Sequence, residues 1–575
     1  MPAICCGLEC LPATLTQRIQ PRNDFVLSPS KENSSNTHDG KFILYLPTVV
    51  LRKHHNPAFA FACHLANAHN VPLVVLAVVL DDAHLLPPQQ PQLGNKPIVF
   101  TARRIAFVLE ALQEATQAWE NHGAGVSIRV HGPQTRTPHH LTMARQALAV
   151  ITDEPFVHPY RKFVDTIERA VHFAKVPLWT VDGSTTVPPL MILQKKIRDP
   201  QGRIVFQDVP NKAWKWDERT KTHRKEHVFG VVKDGHFNAP ELTCKLPKDF
   251  FLSTTITTPI CNILPPDWTN RDVPCPGKRP WTVSELAAIS NLKEWVQQWP
   301  GIDTTVPPCV QTHGSTKSGM ERWDRFLVQH MENYAKLRNR ITEPHAVSRM
   351  SCYLNYGIVS IFQIVHDTWT SKKGKSYKGA CKFEDEVVKW REIGYVHAFA
   401  SPDYNLASAV PGWASKYMQR EQDKNGTSYS IEALETGSTR DDTWNGMQRY
   451  LVETGELHNN ARMTWGKTMV HWQKHDYSLE EVLNQMVYVN DRYALDGLSP
   501  PSYSGLLWCF VWCDKPGSGG GISEKLASRY RTNSSGFVEA RQALLIGASD
   551  GYAKTTNESP SKRQKTIESF FRVCE

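Results

Sequence analysis

The stretches KFILYL at residues 41–46 and VPLVVLAVVL at residues 71–80 decide the fold. Both are short, continuously apolar and rich in β-branched residues, which is typical of strands buried on both faces of a sheet. Pro57–Asn70 between them has the pattern of a helix, and so has Thr101–His122. Three further strands are predicted, at VSIRV (126–130), ALAVIT (147–152) and VPLWTV (176–181). Strands alternating with helices predict a parallel, doubly wound α/β sheet, which usually binds ligands at the carboxyl ends of its strands.

Composition divides the chain into five regions. A chain of 575 residues is too long for one compact domain. Residues 1–40 are rich in Ser, Asn, Pro and Thr and are predicted to be disordered. Residues 41–190 are predicted to form a Rossmann-like α/β domain, 191–315 an irregular Pro-rich connector, 316–545 an all-α domain, and 546–575 a disordered tail. The long helical patterns lie at Arg322–Leu337, Ser348–Thr370, Phe383–Phe399, Trp444–Glu453, Leu457–His475 and Leu479–Tyr488.

Several classes of protein are excluded by composition and motifs. The thirteen cysteines include no CxxC pair, which indicates reduced thiols rather than a disulfide framework. No apolar run approaches the ~20 residues of a membrane helix. The N-terminus lacks a secretory signal, although an organelle transit peptide stays an alternative. No GxGxxG follows the first strand, and no P-loop is present. The net charge of +9 permits a polyanionic partner without requiring one.

One face of the predicted helix Leu457–His475 carries two tryptophans. Trp465 and Trp472 lie on this face with Arg462, and the two indoles are about 10 Å apart along the axis at about 1.5 Å per residue. A third indole, Trp444, precedes the helix. Indoles at this spacing suit electron hopping. The alternative is a bulky core stripe, which these residues alone favour.

Two acidic motifs and a lysine loop are further candidates. NDRYALDG (490–497) places two carboxylates in a predicted polar turn, with Arg462 as a candidate partner for a buried acid; an ordinary surface turn is the alternative. In FEDEVVKWREIGY (383–395), Glu386 and Trp390 share a helix face and could bind a flat heterocycle, or belong to an ordinary amphipathic helix. The segment before this motif is predicted to be a basic loop that either contacts phosphate groups or is merely solvated. Its lysines are Lys372, Lys373, Lys375, Lys378 and Lys382.

Together these segments resemble the class II cyclobutane pyrimidine dimer (CPD) photolyases of the photolyase/cryptochrome superfamily. The resemblance covers roughly residues 41–190 and 320–545, with the motifs in the family's order. In the first region the resemblance is carried by residues 41–79, by VITDEP (150–155) and by VDGSTTVPP (181–189). In the second it is carried by YAKLRNR (334–340), VSRMSCYLNYG (347–357), FEDEVVKWREI (383–393), WNGMQRYLVETGELHNNARMTWGK (444–467) and NDRYALDG (490–497). It implies an antenna domain followed by an all-α domain that binds FAD.

The resemblance assigns flavin contacts residue by residue. Arg462 and Asp496 match the ion pair beside the flavin ring, and Asn490 matches the residue that faces flavin N5. Plant cryptochromes carry Asp at that last position, so the amide favours repair. The remaining matches are Tyr334, Ser348, Arg349, Met350 and Ser351. A second, antenna pigment, either a deazaflavin or a folate, is implied in the N-terminal domain.

The implied reaction is light-dependent repair of DNA that contains pyrimidine dimers. Reduced FAD donates an electron to the dimer, the cyclobutane ring splits, and the electron returns. Trp444, Trp465 and Trp472 match the chain of tryptophans that photoreduces the flavin. The matches to the lesion-binding set are Glu386, Trp390, Met463 and Trp508. The two indoles would stack on the flipped-out dimer, and Glu386 would hydrogen-bond the base carbonyls and stabilise the radical anion.

Two rival functions belong to the same superfamily. A cryptochrome photoreceptor without repair activity is the first. A (6-4) photolyase is the second and ranks low, because its His pair corresponds to Asn459 and Met463 here. The chain also departs from the family, since LSPPSY (498–503) stands where class II enzymes usually carry a charged residue and then DPNGY. That departure concerns the DNA-facing surface more than the flavin site.

The C-terminal tail SKRQKTIESFFRVCE contains a short clamp-binding motif. Gln564, Ile567, Phe570 and Phe571 match the pattern by which proteins bind the replication sliding clamp (PCNA). The motif predicts a clamp partner and a nuclear protein. A chance match is the alternative, and a chloroplast or mitochondrial location then stays open.

Overall fold

The computed structural model describes most of the chain. The described residues are 11–27, 41–84, 96–132, 136–193, 209–246, 248, 279–340, 343–401, 403–410, 412, 428–510 and 512. The clamp-binding motif and the predicted tail at 546–575 lie outside them. The predicted domain boundaries at residues 190, 315 and 545 stay predictions.

A six-stranded sheet forms the centre of the N-terminal half. Its strands are β1 (Ile19–Pro21), β2 (Ile43–Leu46), β3 (Leu73–Val79), β4 (Gly125–Val130), β5 (Ala149–Asp153) and β6 (Leu178–Val181). They lie in the order β1-β6-β5-β2-β3-β4, with β1 antiparallel and the others parallel. Strands β2 to β6 are buried along their whole length because helices cover both faces. The predicted doubly wound sheet is confirmed.

The other regular elements among the described residues are helices. In the N-terminal half and the connector they are α1 (Ala13–Thr16), α2 (Pro57–Ala68), α3 (Ala102–Asn121), α4 (His139–Gln146), α5 (Tyr160–Ala174), α6 (Pro189–Ile192), α7 (Val209–Val232), α8 (Val283–Ala287) and α9 (Leu292–Gln297). In the helical half they are α10 (Thr316–Gln329), α11 (Tyr334–Leu337), α12 (Ser351–Asn355), α13 (Ile361–Thr370), α14 (Tyr377–Glu384), α15 (Arg391–Ala400), α16 (Ile431–Thr436), α17 (Asp442–Thr454), α18 (Asn459–Gln473), α19 (Leu479–Tyr493) and α20 (Pro500–Cys509). No described helix is long and apolar enough to cross a membrane.

The first strand lies in a region that was predicted to be disordered. β1 pairs with β6, Ile19 opposite Val181. The neighbouring Arg18 is fully buried and donates hydrogen bonds to three backbone carbonyls in the loop after β6. The prediction of disorder is therefore wrong for residues 11–27. Composition carries no signal for partners that lie 164 positions or more away.

Three predictions about the rest of the chain are corrected. The predicted helix Arg322–Leu337 is divided between α10 and α11, with a 3-10 turn at Met331–Asn333 between them. The connector is irregular only in part, since it contains α7, α8 and α9. The predicted helix Ser348–Thr370 is two helices, α12 and α13. The helix is interrupted around Gly357, which has a φ of +55°. Gly357 lies so close to the loop after β2 that a Cβ would be 2.5 Å from the Val49 carbonyl oxygen. Only glycine fits both constraints.

Asp153, at the carboxyl end of β5, holds the loop after β2. Its fully buried carboxylate accepts hydrogen bonds from the backbone N–H groups of Thr48, Val49 and Val50 at 2.7, 2.9 and 3.0 Å, and from the Tyr45 hydroxyl at 3.1 Å. Burial raises the pKa of Asp153, and these donors oppose that shift. The strand order reverses between β2 and β5, and doubly wound sheets usually bind ligands at such a point. Here the Asp153 carboxylate already accepts from the backbone N–H groups that an anionic ligand could otherwise use.

We expect Asp153→Ala to lower the free energy of unfolding by about 2–4 kcal/mol, because three buried N–H groups lose their acceptor. Urea unfolding followed by tryptophan fluorescence measures the change. Asp165→Ala is the control, since Asp165 is 55% exposed and its ion pair among the described residues is with the partly exposed Arg22; its effect should stay within about 0.5 kcal/mol. Equal midpoints for the two variants would contradict this role.

Candidate functional site

A cavity of about 560 Å³ opens in the helical half. Its walls come from α11, residues 347–351, the segment between α14 and α15, α18 and the start of α20. Ten of the residues singled out in the sequence line it together: Tyr334, Ser348, Arg349, Met350, Ser351, Glu386, Trp390, Arg462, Asp496 and Trp508. The fold therefore brings into one space residues that lie up to 174 positions apart.

The predicted ion pair forms one wall. Arg462 Nη2 on α18 lies 2.6 Å from Asp496 Oδ1, in the loop between α19 and α20. Arg462 is only 7% exposed, and its Nε is buried without a hydrogen-bond partner among the described residues. A buried donor in a cavity wall fits a ligand that offers an acceptor there.

A second charged group at the cavity, around Glu456, was missed by the sequence analysis. Glu456 accepts from Arg349 Nε at 2.7 Å, Arg322 Nη1 at 3.0 Å and the Thr312 hydroxyl at 2.7 Å. Burial alone would raise the pKa of Glu456, but the two guanidinium groups hold it at about 2. Two cations and one anion leave a net positive group, which fits phosphate. The only sequence signal for this group was that Glu456 is an acidic residue inside the motif at 444–467, whose other residues had been assigned other roles.

The lesion-binding candidates lie together on another wall. Glu386 forms ion pairs with Arg338 at 2.9 Å and Lys382 at 2.8 Å. The rings of Trp390 and Trp508 meet at 67° with centroids 5.6 Å apart. Asp385–Trp390 is π-helical rather than α-helical, a local widening that often marks functional sites. Arg338 and Lys382 were not predicted as part of this wall.

Two of the residues that the resemblance assigned to the flavin or the lesion do not line the cavity. Met463 on α18 is half-buried, packs against the hydrophobic core and is not among the residues that line the cavity. Asn490 is 1% exposed and belongs to the last turn of α19, so the predicted polar turn at 490–497 begins four residues too early. Its amide instead donates a hydrogen bond to Ser502, which lines the cavity. The role assigned to Asn490 stays a prediction.

The three indoles form a continuous stack beside the cavity. Trp444 lies in the middle, parallel to Trp465 within 9° at 6.1 Å and at 61° to Trp472 at 5.4 Å between centroids. Trp465 is fully buried one helical turn from Arg462, and Trp472 is half-buried. The stack therefore leads from the cavity wall to the surface. A core stripe on one helix would not need Trp444 between the other two.

Comparisons with known proteins bear on the family and the fold of this chain. The family model described as DNA photolyase matches residues 44–220. A deoxyribodipyrimidine photo-lyase from Methanothermobacter thermautotrophicus is 24% identical over 473 residues, which are 82% of this chain and 86% of the relative. The chain is therefore similar to photolyases along most of its length. The fold agrees with that of a Synechocystis cryptochrome (TM-score 0.57, 12% identity, 92% of this chain and 94% of the other). It also agrees with that of a Sulfolobus tokodaii photolyase solved with two FAD molecules (0.54, 12%, 92% and 100%).

We expect Trp444→Phe to slow the light-driven reduction of bound oxidised flavin strongly, because Trp444 is the only described link between Trp465 and Trp472. Transient absorption at the flavin band measures the rate. Trp295→Phe, in the separate Trp281–Trp299 cluster, is the control and should be unaffected. Unchanged photoreduction in Trp444→Phe would mean that another route supplies the electron.

Proposed function

We propose that the protein is a light-dependent DNA repair enzyme that splits cyclobutane pyrimidine dimers. The observation that carries this proposal is one cavity that combines the Arg462–Asp496 pair, Glu386 and the Trp390–Trp508 pair, with a tryptophan stack behind it. When bound, reduced FAD supplies the photo-excited electron that opens the ring and recovers it afterwards. A second, light-harvesting chromophore in the N-terminal half is consistent with the two FAD molecules of the Sulfolobus relative.

The chain's own residues hold and orient the flavin. Arg462 offers its unpartnered Nε, while Asp496 keeps the guanidinium in place. Arg349 and Arg322, with Glu456 between them, supply the positive group for the diphosphate, next to Ser348 and Ser351. The side chains at this wall are largely buried, which strengthens each of these charge interactions.

The lesion wall binds the two bases of the dimer. Trp390 and Trp508 provide apolar faces for the flipped-out bases. The ion-paired Glu386 carboxylate accepts hydrogen bonds, so it serves base N–H groups rather than the carbonyls that the resemblance assigned to it. Arg338 and Lys382 bring the donors for the base carbonyls, where negative charge develops during splitting.

The five lysines of the predicted loop separate into two groups, and Lys378 and Lys382 lie in α14 rather than in a loop. Lys372 pairs with Glu384, and Lys382 pairs with Asp385 and Glu386. Lys373, Lys375 and Lys378 are exposed and have no acidic partner among the described residues. These three are the proposed contacts to DNA phosphates, in a binding mode that salt weakens.

The (6-4) chemistry has little support at this site. Asn459 lines the cavity and Met463 does not. His458 does line it, but its Nδ1 caps α18 by accepting from the Asn460 N–H at 3.1 Å, and burial lowers its pKa to about 4. One imidazole committed to a helix end replaces the expected pair.

We expect the flavin-loaded, chemically reduced protein to repair an oligonucleotide with one thymine dimer in light and not in darkness. Trp508→Ala should weaken dimer binding by about 1–3 kcal/mol, the contribution of one base–aromatic stack. Glu386→Ala should mainly lower the splitting yield of bound dimer, because Arg338 and Lys382 lose the carboxylate that holds them at the base carbonyls. Chromatography of the repaired strand and a binding titration separate the two effects.

An intact dimer after illumination would refute the repair function. Activity on a (6-4) product alone would point to a (6-4) photolyase, and flavin photoreduction without any repair would point to a cryptochrome. Equal losses of affinity in both variants, with unchanged splitting, would contradict the division of roles between Trp508 and Glu386.

We also propose that the tail binds the sliding clamp and that the protein is nuclear. Ile567 and Phe570 can share one side of a short helical turn as an apolar plug, with Gln564 beside it. We expect a Ser559–Glu575 peptide to bind the clamp in a titration, and the Phe570→Ala/Phe571→Ala double variant to bind far more weakly. Equal binding by the two peptides, or none, would remove this partner.

A further inference from the structure

Ser502 ends a chain of hydrogen bonds that begins deep in the helical half. Its first member, Asp491, is fully buried and accepts from the Leu498 N–H at 3.0 Å and the Tyr503 hydroxyl at 2.8 Å. Burial raises the pKa of Asp491, and these donors oppose the shift. A carboxylate oxygen only accepts hydrogen bonds, so the Asn490 atom 2.9 Å from Asp491 Oδ1 must be its amide nitrogen.

The second N–H of the same amide donates to the Ser502 hydroxyl oxygen at 2.9 Å. Both hydrogens of the Asn490 amide are therefore used inside the protein. The Ser502 hydroxyl still has its own hydrogen to donate, and no acceptor for it is found among the described residues. Ser502 is 3% exposed and lines the cavity. A buried hydroxyl hydrogen without an acceptor is costly, which indicates that a ligand supplies one.

Two neighbouring serines show that this arrangement is particular to Ser502. Ser504 also lines the cavity, but its hydroxyl donates to the Pro501 carbonyl at 3.1 Å. Ser499 donates to the Asp496 carbonyl at 2.8 Å. Neither hydroxyl hydrogen is free for a ligand.

The position of Ser502 indicates which part of the ligand it meets. Ser499, three residues before it, is bonded to Asp496, the partner of Arg462. Arg462 in turn lies one helical turn from Trp465, the inner end of the indole stack. The part of a ligand that exchanges electrons with that stack must lie at this wall.

We propose that the Ser502 hydroxyl donates a hydrogen bond to an acceptor atom, a nitrogen or a carbonyl oxygen, of the flavin ring. Asn490 and Asp491 are positioning residues that fix the direction of this hydroxyl. The inference rests on the proposed function, since it takes flavin as the occupant. LSPPSY replaces the family's DPNGY here, so serine stands where the pattern has glycine, and the donor belongs to this chain's departure from the family.

The test compares Ser502→Ala with Ser504→Ala, each loaded with FAD. Raman spectra of the bound oxidised flavin should show shifted ring carbonyl or C=N bands in Ser502→Ala and unchanged bands in Ser504→Ala. FAD titration should show about fivefold weaker binding by Ser502→Ala alone, the effect of one hydrogen bond of about 1 kcal/mol. Ser502→Thr retains the hydroxyl and should restore the wild-type bands.

Bands of Ser502→Ala that coincide with wild type, or that shift equally in Ser504→Ala, would overturn the inference. If the wild type holds flavin and repairs dimers in that case, the proposed function stands without it. If the wild type binds no flavin, both fall. Should Ser502→Ala lose its circular dichroism signal, Ser502→Cys serves instead. Its weaker donor should shift the same bands by a smaller amount, and unshifted bands would overturn the inference.

Discussion

The guanidinium of Arg104 joins the two halves of the molecule where the cavity wall begins. From α3 it donates to the Tyr356 hydroxyl and to the backbone carbonyls of Asp491 and Ala494, the last two at 2.6 and 2.9 Å. Carbonyls at a helix end have no partner within the helix, and here a buried cation from the other half satisfies them. Because Arg104 is itself 3% exposed, neither partner can leave without stranding a buried polar group.

The site chemistry follows from that junction. Once the end of α19 is held, the loop that follows it places Asp496 against Arg462. Helix α20 then begins at Pro500 and carries both Ser502 and Trp508. The flavin wall and part of the lesion wall are thus built on one short stretch of chain. Electron transfer between a flavin and a lesion at these two walls needs a short and fixed distance. The buried hydrogen bonds around Asp491 fix that distance.

Charge is distributed differently at the two ends of the cavity. Around Glu456 two guanidinium groups share one carboxylate, so positive charge remains for phosphate. Around Glu386 two cations again share one carboxylate, but at a wall with two indoles, where the matching ligand is a pair of aromatic bases. One carboxylate between two cations keeps both pointed inward while lowering the cost of burying them together.

The sequence by itself determined the sheet and the indole face, because both depend on local periodicity: buried strands such as β3 are continuously apolar, and Trp465 and Trp472 recur at helical spacing. Family motifs then named ten of the residues in the cavity. Only the tertiary structure decided the rest. β1 needed the edge of β6 and Arg18 needed carbonyls across the fold, so their composition predicted disorder. The structure also places Trp444 between the other two indoles, Glu456 between two arginines, and Asn490 where it donates to Ser502. These contacts could not be predicted, because long-range hydrogen bonds and ion pairs leave no periodic pattern in the sequence.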